Sequence, residues 1–594
     1  MPESAPRYPY QDPSLSVTQR VEDLLQRLTI DDKVGLMYQP LAHVGDMDES
    51  ADFVPLTNRQ LLSRRINHFN ILWATSARQL AEWNNAIQAT LMEHPLGIPA
   101  TISSDPRHAF SNNPGAALMA GPFSQWPEPL GMAAIGSEDL VRRWADVIRQ
   151  EYLAVGIRAA LHPQIDLATD PRWARMSATF GEDAATASRL GVAYVLGLQG
   201  GSDVGQDSVS VMAKHFPGGG AQKDGEDPHF SYGREQVYPG GNFDLHLEPF
   251  RAVIDAGVSQ IMPYYGIPVG TPFEEVAFGF NREVITGLLR EQLGFDGIVC
   301  TDWGILSERP WGVEHLSVEE RVIKALDAGV DQFGGESSTD VLIGLVRSGR
   351  ITGSRIDTSA RRLLREKFRL GLFDDPFVDV EAATITVGAE TAQDEGRQAQ
   401  GAAQVLLKNT AGAAHLPLDP GLRVYAEGVD PDVLAVWANV VGAPEDADVV
   451  IVRTSAPWES RGEPGTLETF FHAGSLDFPA DQLEHWRELA AAAPLIVDIY
   501  LDRPAILAPV TDITSTLIAN FGSADSVLIN TLFGEVAPAG RLPFDIPSSM
   551  TAVRESQPDT PFDTADPTFR FGFGLDYDMV APSTTGVVSS ESHG

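Results

Sequence analysis

At 594 residues the chain exceeds what one ordinary hydrophobic core organises, so two or three large domains are expected, two foremost. Its 43 Lys and Arg against 81 Asp and Glu give a formal charge of −38, which argues against nucleic acid or an anionic membrane as partner. The single cysteine, Cys300, rules out an internal disulfide framework and a Cys-rich zinc site, and no apolar run reaches the roughly 18 residues a membrane span needs.

The first residues, MPESAPRYPYQDPSLS, lack a basic segment followed by an apolar one, so no signal peptide is visible and a cytoplasmic protein is expected. Residues 17–38 have helical apolar spacing, with Thr29 and Asp31 suggesting a cap and a second helix. After about residue 70, short apolar runs alternate with amphipathic helices. The runs are IPATISS (98–104), GIRAALHPQIDL (156–167), VSVMAKHF (209–216), SQIMPYY (259–265), GIVCTDW (297–303) and AGVDQF (328–333). The helices include residues 141–155, 183–200 and 281–293. This alternation predicts a parallel sheet, and its length suits a (β/α)8 barrel over residues 1–375.

Polar groups follow these runs with some regularity: Asp105, then Asp166 and Asp170, then Lys214 with His215, then Tyr264 and Tyr265, then Asp302 with Trp303. Strand C-termini of a barrel share one face, so these groups are expected to converge. Asp302 stands out, because an ionisable carboxylate at the end of the buried run Ile298–Cys300 is costly unless it is used. Read by itself it could also cap the next helix.

Gly, Asp and Pro in GLFDDPFVD (371–379) end a helix that begins near Ile356, and residues 376–395 read as a linker. A second α/β series occupies 396–580, with a helix around 391–408 and strands at 421–428, 447–454, 494–501 and 515–522. The segments between them, DVLAVWANVV among them, read as helices on both faces of a doubly wound sheet. The loop SAPWESRGEPGTLETFFHAG (455–474) is too long and too charged for a plain connector, and residues 581–594 read as a disordered tail.

Several strings resemble glycoside hydrolase family 3. IDLATDPRWARMSATFGED (165–183) is similar to its DPRWGR…ESFGEDP signature, KHFPGGG (214–220) to KHF-x-G, IMPYY (261–265) to Met-x-x-Tyr, and GFDGIVCTDWG (294–304) to GFDG-x-x-x-SDW. In the second half AAQVLLKN (402–409), GEVAPAGRLPFDIP (534–547) and FRFGFGLDY (569–577) resemble SxVLLKN, GxxxPSGRLPxTxP and FGYGLSY. The resemblance implies a barrel followed by an α/β sandwich, without the fibronectin-like third domain of many relatives. It also implies a retaining, exo-acting β-glycosidase without cofactor or metal, whose partner is a small-molecule β-glucoside.

By the same resemblance Asp302 is the nucleophile, and Asp105, Arg175, Lys214, His215, Tyr265 and Trp303 hold the sugar. Pro457-Trp458-Glu459 resembles the family's Pro-Tyr-x-Glu segment and puts the acid/base at Glu459, with Glu463 and Glu468 in reserve. Two departures stand out: Ala174 replaces a Gly in DPRWGR, and Gly219 stands where the N-acetylglucosaminide branch carries a His.

The chemistry needs two carboxyl groups roughly 5–5.5 Å apart, one ionised to attack and one protonated to release the leaving group. Lys214 and Arg175 suit the first role by favouring charge on Asp302, and shielding by Trp458 and domain closure suits the second. The bland alternatives are that Arg175 bridges to Glu182 or Asp183, that His215 is a core histidine, and that Glu459 is an ordinary surface residue. The loop KDGEDPHF (223–230) is read as solvated and cleft-shaping rather than as a metal site of Asp224, Asp227 and His229. A β-xylosidase, a glycoside phosphorylase and a non-catalytic sugar-binding protein remain as other functions. Oligomeric state, a homo-oligomer included, is not legible.

Overall fold

A computed structural model describes residues 8–73, 76–110, 118 and 120–577. Eight parallel strands close a ring in its first half. The first strand is in two pieces, Tyr38–Gln39 and Leu41–Ala42, and is followed by His68–Ile71, Thr101–Ser104, Ile157–Ala160, Ser210–Phe216, Gln260–Pro263, Ile298–Val299 and Phe333–Gly334. Each pairs in parallel with its predecessor, the last two through the bridge between Cys300 and Gln332. Tyr38 pairs with Phe333 and completes the barrel.

Strand alternation decides what fills it. Val211, Ala213, Ile261 and Val299 join the large core shared with the surrounding helices. Their neighbours Met212, Met262 and Cys300 form a separate cluster with Leu161, packed against Trp303. These inward residues make an apolar floor. Two positions beyond Met212 and Cys300 stand Lys214, still within its strand, and Asp302, just past the end of its own.

The second half is a six-stranded sheet in the order Val405–Asn409, Thr516–Asn520, Leu495–Tyr500, Val449–Ser455, Arg423–Glu427 and Asn439–Val440. All pairs are parallel except that of the edge strand Val405–Asn409. Both faces are apolar. Val449 and Ile451 pack with Leu528, Ile529 and Leu532 of helix Asp525–Leu532. Val450 and Val452 pack on the other side with Trp486 and Leu489 of helix Ala480–Ala492.

Three expectations change here. The helix expected over 391–408 spans Glu390–Ala402, and Val405–Asn409 is the antiparallel edge strand. DVLAVWANVV yields only the short helix Pro431–Leu434 and the edge strand Asn439–Val440. The interval 376–395 holds helix Val380–Thr386 and the start of the next one, with Ala383 and Ala392 buried in the core, so it is packed structure rather than a free connector. The stretch 581–594 lies outside the described residues. Among the described residues no helix is long and apolar enough to cross a membrane.

The halves are bonded to each other. Glu182, from a barrel loop, accepts the backbone N–H groups of Asp545 and Phe562 at 2.7 and 2.8 Å. Arg503 of the second domain donates to the carbonyl of Arg172 at 3.1 Å.

Candidate active site

Asp302 sits just past the seventh strand and is nearly buried. Its Oδ1 accepts the Trp303 backbone N–H and the Tyr265 hydroxyl, each at 2.8 Å, the one hydroxyl proton being shared with the Trp303 carbonyl at 2.5 Å. Burial and the adjacent Asp302 carboxylate push the Tyr265 hydroxyl far up, so it stays an O–H donor. Asp302 Oδ2 is buried and has no hydrogen-bond partner. One oxygen is therefore anchored and the other is unpartnered. The indole of Trp303 lies against Gly334 and Gly335, where an added Cβ would come within 2.7 to 2.9 Å of the ring, so these glycines make its seat.

His215 Nε2 lies 3.8 Å from that unpartnered oxygen. The imidazole is oriented from behind, because its Nδ1 bonds Asp166 Oδ2 at 2.8 Å while Nε2 accepts from Arg175 Nη1 at 2.9 Å. Burial, then the Arg175 and Lys214 charges, hold its pKa well below the ordinary value and keep the ring neutral, and because Arg175 can only donate to Nε2 the proton sits on Nδ1. Burial raises Asp166 to about 6, against the pull of backbone N–H bonds from Gly219 and His215. A Cβ at Gly219 would meet the Tyr264 ring at 2.6 Å, so the histidine found there in the other branch would need a rebuilt pocket.

Lys214 and Asp105 form a second couple, joined at 2.9 Å, with Asn70 donating to the other Asp105 oxygen at 3.1 Å. Burial works against the charge of Asp105, yet the Lys214 ammonium holds its carboxyl below the usual range. This pair offers a donor and an acceptor to neighbouring hydroxyl groups. Arg175 reaches His215 and Tyr264, whereas Glu182 is engaged with the second domain and Asp183 caps the helix that follows it. Asp302, Tyr265, Trp303, His215 and Arg175 thus form one cluster, and Lys214 with Asp105 a pair beside it.

The loop 223–230 differs from its reading as a solvated turn. Asp224 is exposed, but Asp227 is buried and accepts bonds from Trp173 Nε1 at 2.9 Å, Tyr264 at 3.0 Å, and both the backbone N–H and Nδ1 of His229 at 2.9 and 2.7 Å. Burial opposes its charge, but His229 and Arg175 bring its pKa down to about 2. Among the described residues no group of His, Cys, Asp and Glu has the arrangement of a metal site. The available signal was the spacing Asp-x-His at the end of an acidic loop following a barrel strand.

The second-domain loop docks on this segment. Phe471 packs edge-on against Phe230 and tilts against His229, both at 5.0 Å between ring centroids. Ala174, the residue that replaces Gly in the DPRWGR-like string, is buried against Phe471 and Ala473. Arg461 pairs with Glu226 at 2.5 Å, and Tyr232 donates to Glu468 at 2.5 Å. Glu459 is placed differently. Its backbone pairs with Ala473, its carboxylate accepts the Ser475 N–H at 3.1 Å, and its side chain is 56% exposed. The expected shielding by Trp458 is not seen, because that ring stacks on His472 at 4.3 Å. The structure does not bond Glu459 to the Asp302 cluster; of the three loop glutamates, Glu468 is the one bonded to a barrel side chain.

An eight-stranded barrel with a carboxylate cluster at its mouth, overhung by a loop of a second α/β domain, defines a two-domain enzyme of the glycoside-cleaving type. The family profile described as the Glycosyl hydrolase family 3 N terminal domain matches residues 32–366, and that of the C-terminal domain matches 376–577. The chain belongs to glycosyl hydrolase family 3. It is 47% identical over 584 residues to a protein named Beta-glucosidase C from Emericella nidulans, covering 96% of this chain and 94% of that one. It is 41% identical to a Periplasmic beta-glucosidase/beta-xylosidase of Dickeya chrysanthemi, covering 96% and 91% of the two chains. The fold is shared with a β-glucosidase structure from Erythrobacter marinus, with a TM-score of 0.81 at 23% identity, over 96% of this chain and 84% of the other.

Proposed function

We propose that the protein is a retaining, exo-acting β-glucosidase that removes glucose from the non-reducing end of β-glucosides through a covalent glycosyl-enzyme. The observation that carries this reading is the asymmetric holding of Asp302: Oδ1 is fixed by two donors, and Oδ2 is buried and unpartnered. A carboxylate so held is prepared for attack on an anomeric carbon, since only one oxygen is left to react. Lys214, Asp105 and Arg175 supply the hydroxyl partners of the sugar, and Trp303 an apolar face; His215, with both ring nitrogens engaged by Asp166 and Arg175, acts through Arg175 rather than on a hydroxyl. The relatives named β-glucosidase at 45 and 47% identity favour glucose as that sugar.

The acid/base belongs to the loop 455–474. Glu459 is first by its position after Pro457-Trp458, and Glu468 is second because it already bonds Tyr232 across the domain boundary. A phosphorylase is disfavoured because Arg461, the cation of this loop, is committed to Glu226. The double name of the Dickeya relative makes a β-xyloside the second substrate to offer.

The test is a panel of aryl β-glucoside, β-xyloside and N-acetyl-β-glucosaminide, with and without phosphate, on wild type and Asp302→Ala. The glucoside should be cleaved fastest, independently of phosphate and only by wild type. Full activity in Asp302→Ala, or no cleavage of any glycoside by wild type, would sink the reading.

A further inference from the structure

We infer that Asp227 is a positioning residue for the reaction at Asp302, clamping Tyr264 and His229 so that the rings over His215 and Tyr265 and the second-domain loop are set as one unit. The inference rests on the assignment of Asp302 proposed above. Asp227 touches none of the candidate reacting atoms. Its Oδ2 takes the Trp173 N–H and the Tyr264 O–H, and its Oδ1 takes both donors of His229.

Each of the two clamped rings stands against a neighbour of Asp302. Tyr264 lies over the His215 ring with centroids 4.2 Å apart, and its hydroxyl is 3.4 Å from Arg175 Nη1. His229 meets the Tyr265 ring edge-on at 4.9 Å, and Tyr265 is the residue that anchors Asp302 Oδ1. His229 also meets Phe471 of the second domain, with ring centroids 5.0 Å apart. A single carboxylate thus ties the rings against His215 and Tyr265 to the loop that carries the acid/base candidates.

The chemistry at Asp227 requires a carboxylate. Both oxygens accept, and two of the four donors, the Trp173 indole and the His229 backbone, cannot turn into acceptors. In Asp227→Asn the amide group must face one of these N–H groups, which leaves a donor opposed to a donor in a buried place. The shape of the loop survives, but the seating of one ring does not.

The test uses the full chain and reads three quantities for Asp227→Asn and Tyr264→Phe: kcat, KM, and the rate at which 2-deoxy-2-fluoro-β-glucosyl fluoride inactivates the folded enzyme. For Asp227→Asn, kcat and the inactivation rate should fall together by about 10- to 100-fold while KM stays within about threefold, the pattern of an interaction realised in the transition state. Tyr264→Phe deletes one hydroxyl from an otherwise intact core and should cost about three- to tenfold. In the double variant it should add little to Asp227→Asn, because neighbours acting through one unit are not additive. A purely structural Asp227 would lower Tm and leave both rates per folded molecule unchanged, and that result overturns the inference. If Asp227→Asn does not fold, Tyr264→Phe decides alone: unchanged rates reject the inference. Failure of the wild type to be inactivated would instead strike the assignment of Asp302.

Discussion

The barrel side and the loop side of this site are built to different standards. Around Asp302 the structure holds one oxygen with two donors, fixes the tautomer of His215 from behind, and buries Asp166, Asp227 and Arg175, each bonded to a ring beside the site. On the loop, Glu459 turns its carboxylate to its own hairpin and stands more than half in solvent. A nucleophile benefits from rigid preorganisation, whereas a proton donor must meet leaving groups of varied shape and can be brought in with the substrate. Under the proposed assignment, one half of the reaction is encoded in the barrel and the other depends on how the second domain is seated.

Breaking the barrel side should have the largest effect. Asp302→Ala is expected to lower kcat on aryl β-glucosides by on the order of 10⁴-fold with little change in Tm, measured by steady-state rates beside a thermal melt. Activity within tenfold of wild type would place the nucleophile elsewhere.

On the loop side the effect should depend on the leaving group. Glu459→Ala is expected to lose about 10²- to 10⁴-fold on alkyl glucosides, far less on dinitrophenyl glucoside, and to recover turnover with azide. If Glu459→Ala behaves as wild type and Glu468→Ala shows this pattern, the proton comes from the glutamate already bonded to Tyr232.

Smaller effects refine the comparison. Asp105→Asn removes the partner of Lys214 and should cost about 10- to 100-fold in kcat/KM. Because the folded pKa of Asp105 is lowered, the charged pair is present above the ordinary carboxylate range and is lost as pH falls through that lowered value. Substrate affinity in wild type should therefore weaken at the acid end, and Asp105→Asn should lack that limb.

The smallest expected change is in stability at the junction of the halves. Burial raises Glu182 from 4.5 to about 8, so the folded protein binds the extra proton between those values. Its contribution is fully present below 4.5 and is lost as pH rises towards 8. Thermal melts over that interval should show wild type losing stability relative to Glu182→Gln as pH rises. Parallel curves would remove Glu182 from the account.

Most of the barrel was legible because six of its strands end in turn chemistry or a polar group after an apolar run. The strands Tyr38–Gln39, Leu41–Ala42 and His68–Ile71 were not, because the first pieces are two residues each and HFNI carries a histidine and an asparagine in place of an apolar pattern. The residues near Asp302 were legible through linked motifs. Asp227 and His229 were not, since an acidic loop reads as solvated until tertiary packing shows that Trp173 and Tyr264 enclose it. In the second domain Val405–Asn409 follows directly on the helix Glu390–Ala402, and only pairing with Thr516–Asn520 makes it a strand. Glu459 was singled out by local pattern, and local pattern does not say which way a carboxylate points.

The most direct measurement is to inactivate the wild-type enzyme with 2-deoxy-2-fluoro-β-glucosyl fluoride, digest it, and locate the bound sugar by mass spectrometry. One fluoroglucosyl group, in ester linkage to Asp302, is the expected result. A sugar on Glu459, Glu468 or any other residue, or turnover of β-glucosides by an enzyme that is never trapped, would contradict it.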